Sequence, residues 1–203
     1  MNRDRALRQL EALKKYMIPQ RLAAEGWDQE WKTLISTLLS ARTLDETTIR
    51  VCEKLFNKYP SVFKLSKAKL EDVQKIINPV NYFRNKSKYV IKCCNELHEI
   101  FGDKVPMNIE DMTKLTGVGR KTANVVMSEY GFPGVGVDTH VQRISYKLGW
   151  VKEKNNAEKI EHELKKLFPK EKWNDINTTL VNVGRSNRGK KEDIILDEIK
   201  KIK

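Results

Sequence analysis

Apolar residues recur along this chain at the spacing of helices. One group is formed by Leu7, Leu10 and Leu13, and others by Trp31, Leu34, Ile35, Leu38 and Leu39, by Ile49, Cys52, Leu55 and Phe56, and by Val73, Ile76 and Ile77. Residues three and four apart share one face of a helix, whereas a half-buried strand would alternate. The pattern predicts an all-α fold of about ten helices and no strand.

Capping residues and breakers indicate where several of these helices begin and end. Pro60 follows one helix, and Ser66 is placed to cap the next. A long helix is expected over roughly residues 84–101. Another should begin at a cap formed by Asn155 or Asn156 and stop at Pro169.

The last segment, "GKKEDIILDEIKKIK", predicts one more amphipathic helix. Ile195, Ile199 and Ile202 form a single apolar stripe on an otherwise lysine-rich surface. We expect this helix to dock on the body of the protein.

The charge balance points to polyanions. The 203 residues hold 39 Lys and Arg against 27 Asp and Glu, a net charge of +12. Such a positive field attracts nucleic acid and speeds association with it. The alternative is a set of solvated helix faces rich in lysine, which composition alone leaves open.

The three cysteines, Cys52, Cys93 and Cys94, lack the spacing of a zinc or iron-sulfur site and are interpreted as reduced packing thiols. The N-terminal segment has no apolar signal core, and no apolar run reaches the roughly 18 residues of a membrane span. The sequence therefore predicts a soluble intracellular protein.

The stretch "LTGVG", residues 115–119, separates two helical patterns, the second running from about Arg120 to Tyr130. Gly117 and Gly119 permit unusual backbone angles and leave room for a phosphate to approach the amides of the following helix. We interpret the turn as a phosphate-binding hairpin. The alternative is a tight connection in which Gly117 only ends the first helix.

Lys121 and Asp138 are the candidates for chemistry. Lys121 falls in the first turn of the helix after the hairpin, where the positive helix end and Arg120 favour its neutral, nucleophilic form. Its alternative role is a phosphate contact. Asp138 precedes an amphipathic run and is placed as an N-cap, and a carboxylate fixed by a cap could also stabilise nearby cationic charge.

These residues carry a family resemblance. "LTGVGRKTANVV" followed by "VDTH" resembles the endonuclease III branch of the helix-hairpin-helix DNA glycosylases, and "LISTLLSARTLDETT" and "PVNYFRNKSKYV" extend the similarity over roughly residues 30–150. The resemblance implies two helical domains with a DNA-binding cleft between them. The central domain would span 23–133, and the second would combine 1–22 with 134–203.

The resemblance also implies the activity: a base excision repair glycosylase and AP lyase that flips a damaged base out of the duplex. Lys121 would attack the sugar and form a Schiff base, with Asp138 as catalytic carboxylate. Because "RKTANVV" is similar to the branch that acts on oxidised pyrimidines, thymine glycol is the expected type of lesion. The resemblance implies a reaction that needs no cofactor, and a monovalent cation at the hairpin is the one ion that it suggests.

Other residues match family positions that contact DNA. Arg42 stands where many relatives have a glutamine that fills the gap left by the flipped base, and arginine could instead read an opposing guanine or bind a phosphate. Val80 and Tyr82 match a loop that wedges into the base stack, although such a Tyr could also be a packing residue. Asp45 is either a cleft residue or a helix cap. The expected DNA-binding set is completed by Gly117, Val118, Gly119, Arg120, Thr122, Arg84, His140, Arg185 and Lys190.

The chain departs from the family pattern at its last segment. Most endonuclease III proteins hold an iron-sulfur cluster with four cysteines there, and residues 181–203 contain none. We expect no cluster, and we expect the stripe on the last helix to replace its structural role.

The expected partner is damaged duplex DNA, bound by a monomer in the cytoplasm close to the nucleoid. The alternatives are a uracil or thymine mismatch glycosylase, an 8-oxoguanine glycosylase, and a non-catalytic DNA-binding protein. The pairing of Lys121 with Asp138 favours the enzyme, because a protein that only binds DNA needs neither.

Overall fold

A computed structural model describes residues 1–18 and 21–203. Within these ranges the secondary structure is helical and contains no strand, as the apolar spacing predicts. None of the helices there is long and apolar enough to cross a membrane. The α-helices are α1 Arg3–Leu13, α2 Glu30–Ser40, α3 Asp45–Lys58, α4 Val62–Ser66, α5 Leu70–Ile77, α6 Phe83–Phe101, α7 Ile109–Met112, α8 Arg120–Glu129, α9 Thr139–Lys147, α10 Ala157–Leu167, α11 Trp173–Ser186 and α12 Lys190–Lys200.

The chain forms two compact units. One, here called the central unit, is Arg21–Phe132, and the other, the terminal unit, combines Met1–Gln20 with Pro133–Lys203.

The central unit is built around α2, which packs against α3, α6 and α8. Most of its residues are buried, because the apolar spacing from Trp31 to Leu39 covers more than one face of the helix. Phe56 of α3 lies edge-on to Trp27 and Trp31, with ring centroids 5.0 and 5.1 Å apart. This core supports the segments at both ends of α2.

All three cysteines lie in the core of the central unit as free thiols. Burial raises the pKa of the Cys93 thiol to about 12 and also raises those of Cys52 and Cys94. Thiols held in the protonated form are poor nucleophiles and poor metal ligands. The interpretation as packing residues is confirmed.

In the terminal unit, α9 packs against α11, and α1 packs against α11 and α12. The buried side chain of Gln9 donates to the Ile199 carbonyl at 3.1 Å and accepts from the Trp150 indole at 2.7 Å. Ile195 and Ile199 are buried, while Ile202 is half-buried. The expected docking of the last helix is confirmed.

Most predicted helix ends agree with the structure. Asn156 caps α10 by accepting from the Lys159 amide at 3.0 Å, and α10 ends at Leu167 before Pro169. The prediction for Ser66 was wrong. Ser66 is the last residue of α4, where its hydroxyl donates back to the Phe63 carbonyl at 2.8 Å. A serine hydroxyl can cap a following helix or bond back to a preceding carbonyl, so the residue type alone did not predict which of the two occurs.

Candidate functional site

The hairpin between α7 and α8 is shaped by Gly117. Its φ is +82°, in the left-handed region that side chains disfavour. A Cβ added there would also lie 3.0 Å from Leu38 Cδ1 and 3.1 Å from Tyr89 Cβ. Glycine is therefore required by conformation and by space. Since α7 already ends at Met112, Gly117 does not serve as the residue that ends it.

Gly119 has a different role, as the N-cap of α8. Its φ of −96° and ψ of 172° suit any residue, and a Cβ there would meet nothing within 4 Å. The open space lies at a helix N-terminus, where backbone N–H groups and the helix dipole attract anions. The fold does not require a glycine at this position. A glycine does leave space for a phosphate to approach these amides.

Val118 belongs to the scaffold of the turn. Its side chain is buried, and its amide donates to the Leu115 carbonyl at 3.1 Å. The buried side chain is closed to DNA, whereas an approach of DNA to the backbone at Val118 stays a prediction. Its apolar side chain anchors the hairpin in the core instead.

Glu96 of α6 holds the beginning of the turn. Its carboxylate accepts from the Thr116 amide at 2.6 Å and from the Thr116 hydroxyl at 2.7 Å. Hydrogen bonds to a charged acceptor are among the stronger ones in proteins. Nothing in the local sequence indicated this contact, because Glu96 lies on a separate helix.

Lys121 lies in the first turn of α8 and is exposed, as is Arg120, while Thr122 is half-buried. The anchored hairpin thus presents two cations beside the free end of the helix. The amine of Lys121 is accessible to a reactant.

Asp138 is the N-cap of α9, as predicted. Its Oδ1 accepts from the His140 amide at 2.8 Å and from the Val141 amide at 2.9 Å. Because both bonds use the same oxygen, the cap does not occupy the second one. The carboxylate is thereby fixed in orientation and keeps capacity for another partner.

His140 is held by its neighbours on two sides. Its ring lies against Gly184 of α11, where an added Cβ would come within 2.4 Å of Nδ1. Arg143 Nη2 lies 3.3 Å from the same nitrogen. Since a guanidinium only donates, Nδ1 accepts and Nε2 carries the proton. Burial lowers the pKa of His140, so the imidazole is a neutral donor at pH 7.

Glu192 of α12 ties this helix to α9. The carboxylate is almost fully buried and accepts from Arg143 Nε at 3.0 Å and Nη2 at 2.6 Å, and from Lys147 Nζ at 3.3 Å. Burial raises the pKa of Glu192, but the hydrogen bonds and charges of the two cations outweigh it and leave the pKa below 4.5. Nothing in the local sequence indicated this cluster, because Glu192 lies 45 and 49 residues after its two partners.

These residues do not fit the four-cysteine iron-sulfur cluster that most members of the resembled family hold. Such a cluster needs four thiolates. The chain has three cysteines, all of them packed in the core of the central unit. In the terminal unit, α12 is instead attached through Glu192 and through its apolar face.

Arg42 and Tyr82 lie together in the central unit. Arg42 Nη1 donates to the Tyr82 hydroxyl at 3.1 Å, and its guanidinium lies 5.9 Å from the centre of the Tyr82 ring. Both side chains are exposed. Both residues also have positive φ, 56° and 60°, which costs about 1–3 kcal/mol each in non-glycine residues.

Val80 is 1% exposed and packs in the core of the central unit. The expectation that it wedges into DNA was wrong, since the loop turns its apolar side chain inward and leaves Tyr82 outside. Arg84 is exposed above the Phe83 ring, 5.0 Å from its centre.

Asp45 begins α3, but the cap position belongs to Leu44. The Asp45 carboxylate accepts from the Ala23 amide at 3.1 Å and so fixes the segment before α2. The interpretation as a helix cap was therefore wrong.

In the terminal unit, Arg185 is half-buried in the last turn of α11, and Lys190 is exposed at the start of α12.

The chain is similar to known DNA repair proteins. Residues 35–170 match the family model of the HhH-GPD superfamily base excision DNA repair proteins. The chain is 45% identical to endonuclease III of Thermotoga maritima over 157 residues, which are 76% of this chain and 73% of the relative. It is 34% identical to endonuclease III of Synechocystis, over 91% of this chain and 84% of that one.

Solved structures share the fold. A trapped endonuclease III–DNA covalent intermediate matches with a TM-score of 0.85 and 30% identity, over 93% of this chain and 89% of that one. A thermostable thymine-DNA glycosylase, at 18% identity, matches with a TM-score of 0.78 over 88% and 85% of the two chains, which shows a common fold alone. The chain belongs to the endonuclease III family of the HhH-GPD superfamily, whose members are base excision repair DNA glycosylases with AP lyase activity.

Proposed function

We propose that this protein removes oxidised pyrimidines of the thymine glycol type from duplex DNA and then nicks the strand through a Schiff base on Lys121. The observation that carries the proposal is an exposed lysine in the first turn after the hairpin, in a chain similar to an endonuclease III that was trapped as a covalent DNA intermediate.

Lys121 supplies the nucleophile. Its neutral amine attacks C1′ of the flipped nucleotide, and the glycosidic bond breaks as the base leaves with the electron pair and takes up a proton. Loss of the amine proton and opening of the sugar ring give an iminium ion. Removal of a C2′ proton then expels the 3′ phosphate by β-elimination. The sequence of steps needs no cofactor.

Asp138 supplies negative charge. The bonds from His140 and Val141 fix the carboxylate, so no reorganisation is needed when positive charge develops on the sugar. The same group can accept the proton that the amine loses. The orientation of the carboxylate that suits the cap therefore also suits the catalytic role.

The phosphate contacts are proposed for backbone and side-chain donors on each unit. In the central unit they are the first-turn amides of α8, with Arg120, Thr122 and Arg84. In the terminal unit they are Nε2–H of His140, with Arg185 and Lys190. These groups position the duplex without reading its sequence.

Arg42 is proposed to read the base opposite the lesion. Its guanidinium can donate two hydrogen bonds to a guanine edge, while Tyr82 stacks on a neighbouring base. Guanine opposite the lesion should therefore give the fastest excision. Single-turnover rates with each of the four opposing bases measure this, and equal rates would remove the assignment.

Borohydride trapping tests the proposal on duplexes that carry thymine glycol, uracil or 8-oxoguanine. The matched variants are Lys121→Gln and Lys114→Gln, the latter an exposed lysine of the same motif that pairs with Asp111 at 2.7 Å. We expect an adduct with the wild type and with Lys114→Gln, strongest on thymine glycol, and none with Lys121→Gln. If the adduct is strongest on uracil or on 8-oxoguanine, that base is the preferred substrate instead of thymine glycol. Tight binding without any adduct would leave only a DNA-binding role or a glycosylase without lyase activity.

The protein is proposed to act as a monomer on nucleoid DNA. Sedimentation of the protein with one lesion-bearing duplex should give a one-to-one complex, and a two-to-one complex would contradict this.

A further inference from the structure

Lys86 of α6 has an unusual environment for a lysine. It is 6% exposed, and its ammonium donates to the carbonyls of Leu39 at 2.7 Å and Ala41 at 2.6 Å, and to the Thr43 hydroxyl at 3.4 Å. Three donors meet three acceptors, so the group is fully satisfied. Burial lowers the pKa of Lys86 to about 8.

The acceptors lie at the end of α2. The last carbonyls of a helix have no partner within the helix and carry its negative end, so a cation there is favourable. Directly after them the chain turns through Arg42, with its positive φ of 56°. Lys86 therefore holds the two sides of the turn that presents Arg42.

Asn81 fixes the same turn from the loop that presents Tyr82. Its side-chain amide donates to the Arg42 carbonyl, and its backbone amide donates to the Thr43 hydroxyl at 3.1 Å. Thr43 thus joins Lys86 and Asn81 through one oxygen. These bonds connect two loops that are about 40 residues apart in sequence.

From this arrangement we infer that Lys86 and Asn81 are positioning residues that lock Arg42 and Tyr82 into one preformed element for probing the strand opposite the lesion. This inference rests on the proposed function, since it needs Arg42 and Tyr82 to contact that strand. Without the lock, each residue would relax from its positive φ and the pair would separate. Misplacement of a positioning group by about 1 Å can cost a reaction about 100-fold.

The role differs from a purely structural one in a measurable way. A single-stranded substrate has no opposing base and does not need the element. Strand cleavage at an abasic site in single-stranded DNA should therefore be independent of the lock, while excision from a duplex depends on it. A general loss of structure would slow both reactions together.

The test uses Lys86→Met and Asn81→Ala, with Lys88→Met as the matched control. Lys88 is exposed on the same helix and its replacement removes the same charge. Asn81 is also exposed, so Asn81→Ala reports even where Lys86→Met is unstable. Single-turnover rates are measured on a thymine glycol duplex with guanine opposite, and on a single strand with an abasic site.

We expect the ratio of duplex to single-strand rate to fall by about tenfold or more in Lys86→Met and Asn81→Ala, and to stay unchanged in Lys88→Met. Equal losses on both substrates, or no loss in Asn81→Ala, would overturn the inference. A wild-type protein inactive on both substrates would instead overturn the proposed function, so the two failures are distinguishable.

Discussion

The hairpin of the central unit and the Asp138 segment of the terminal unit hold their residues by opposite means. At Gly117 the hairpin is held by shape, because an added Cβ would lie only 3.0 Å from Leu38 Cδ1 and 3.1 Å from Tyr89 Cβ. The Asp138 segment begins a helix whose Arg143 and Lys147 are held by charge, through the buried carboxylate of Glu192. Stability should therefore respond to side-chain volume at Gly117 and to pH at Glu192.

The largest effect is expected from Gly117→Ala. Left-handed strain and close packing cost about 1–3 kcal/mol each, so the free energy of unfolding should fall by about 3 kcal/mol. Urea unfolding measures it. Gly102→Ala is a useful reference, since it shares the positive φ of 57° but meets nothing within 4 Å and should lose only the strain part. Equal losses in both variants would show that packing against Leu38 and Tyr89 contributes nothing.

The charge-held region is tested by Glu192→Gln. Hydrogen bonds to charged groups contribute about 1.5–3 kcal/mol, so the variant should lose about 2 kcal/mol at pH 7. Because the folded pKa of Glu192 lies below 4.5, its contribution is complete above pH 4.5 and is lost as the pH falls through the folded value. The difference between wild type and variant should therefore shrink in acid.

Urea unfolding at pH 7 and at pH 3 measures that difference. Asp193→Asn is the control, since Asp193 bonds to the same Lys147 at 2.7 Å but is exposed, and solvent screens a surface pair so that it contributes little. A difference for Glu192→Gln that does not change with pH would contradict the assignment of its stabilisation to charge.

The sequence predicts a feature when the residues that form it are close together in the chain, and it does not when they are far apart. The turn conformation at Gly117, the helix ends and the Asp138 cap depend on neighbours within a few residues, so glycines, caps and apolar spacing indicated them. The contacts of Lys86 could not be predicted in this way, because its acceptors lie more than 40 residues earlier. Val80 was assigned to DNA because a loop position does not show which way its side chain turns.

The cap at Asp138 should separate stability from catalysis. Asp138→Ala removes the acceptor and should cost about 1 kcal/mol, whereas Asp138→Asn keeps an acceptor oxygen and should cost less. Both variants remove the charge, so both should lose most of the single-turnover excision rate. Full activity in Asp138→Asn would show that the carboxylate serves only as a cap.

The smallest effect on stability is expected from Gly119→Ala. Its backbone angles suit alanine, and the gain of about 0.4–1 kcal/mol from a less flexible unfolded chain is offset because alanine is a poorer N-cap than glycine, so the free energy of unfolding should change little. The added methyl group would nevertheless stand where a phosphate approaches α8, so DNA affinity should fall. Fluorescence anisotropy with an abasic-site analogue measures this. Unchanged affinity would remove Gly119 from the phosphate site.

The central claim is that Lys121 forms the covalent bond to DNA, and peptide mapping of the borohydride-trapped complex tests it most directly. The wild-type protein is trapped on a thymine glycol duplex, digested with nuclease and protease, and examined by mass spectrometry. We expect the sugar remnant on the peptide that contains Lys121. A remnant on another lysine or on the N-terminal amine would contradict the account.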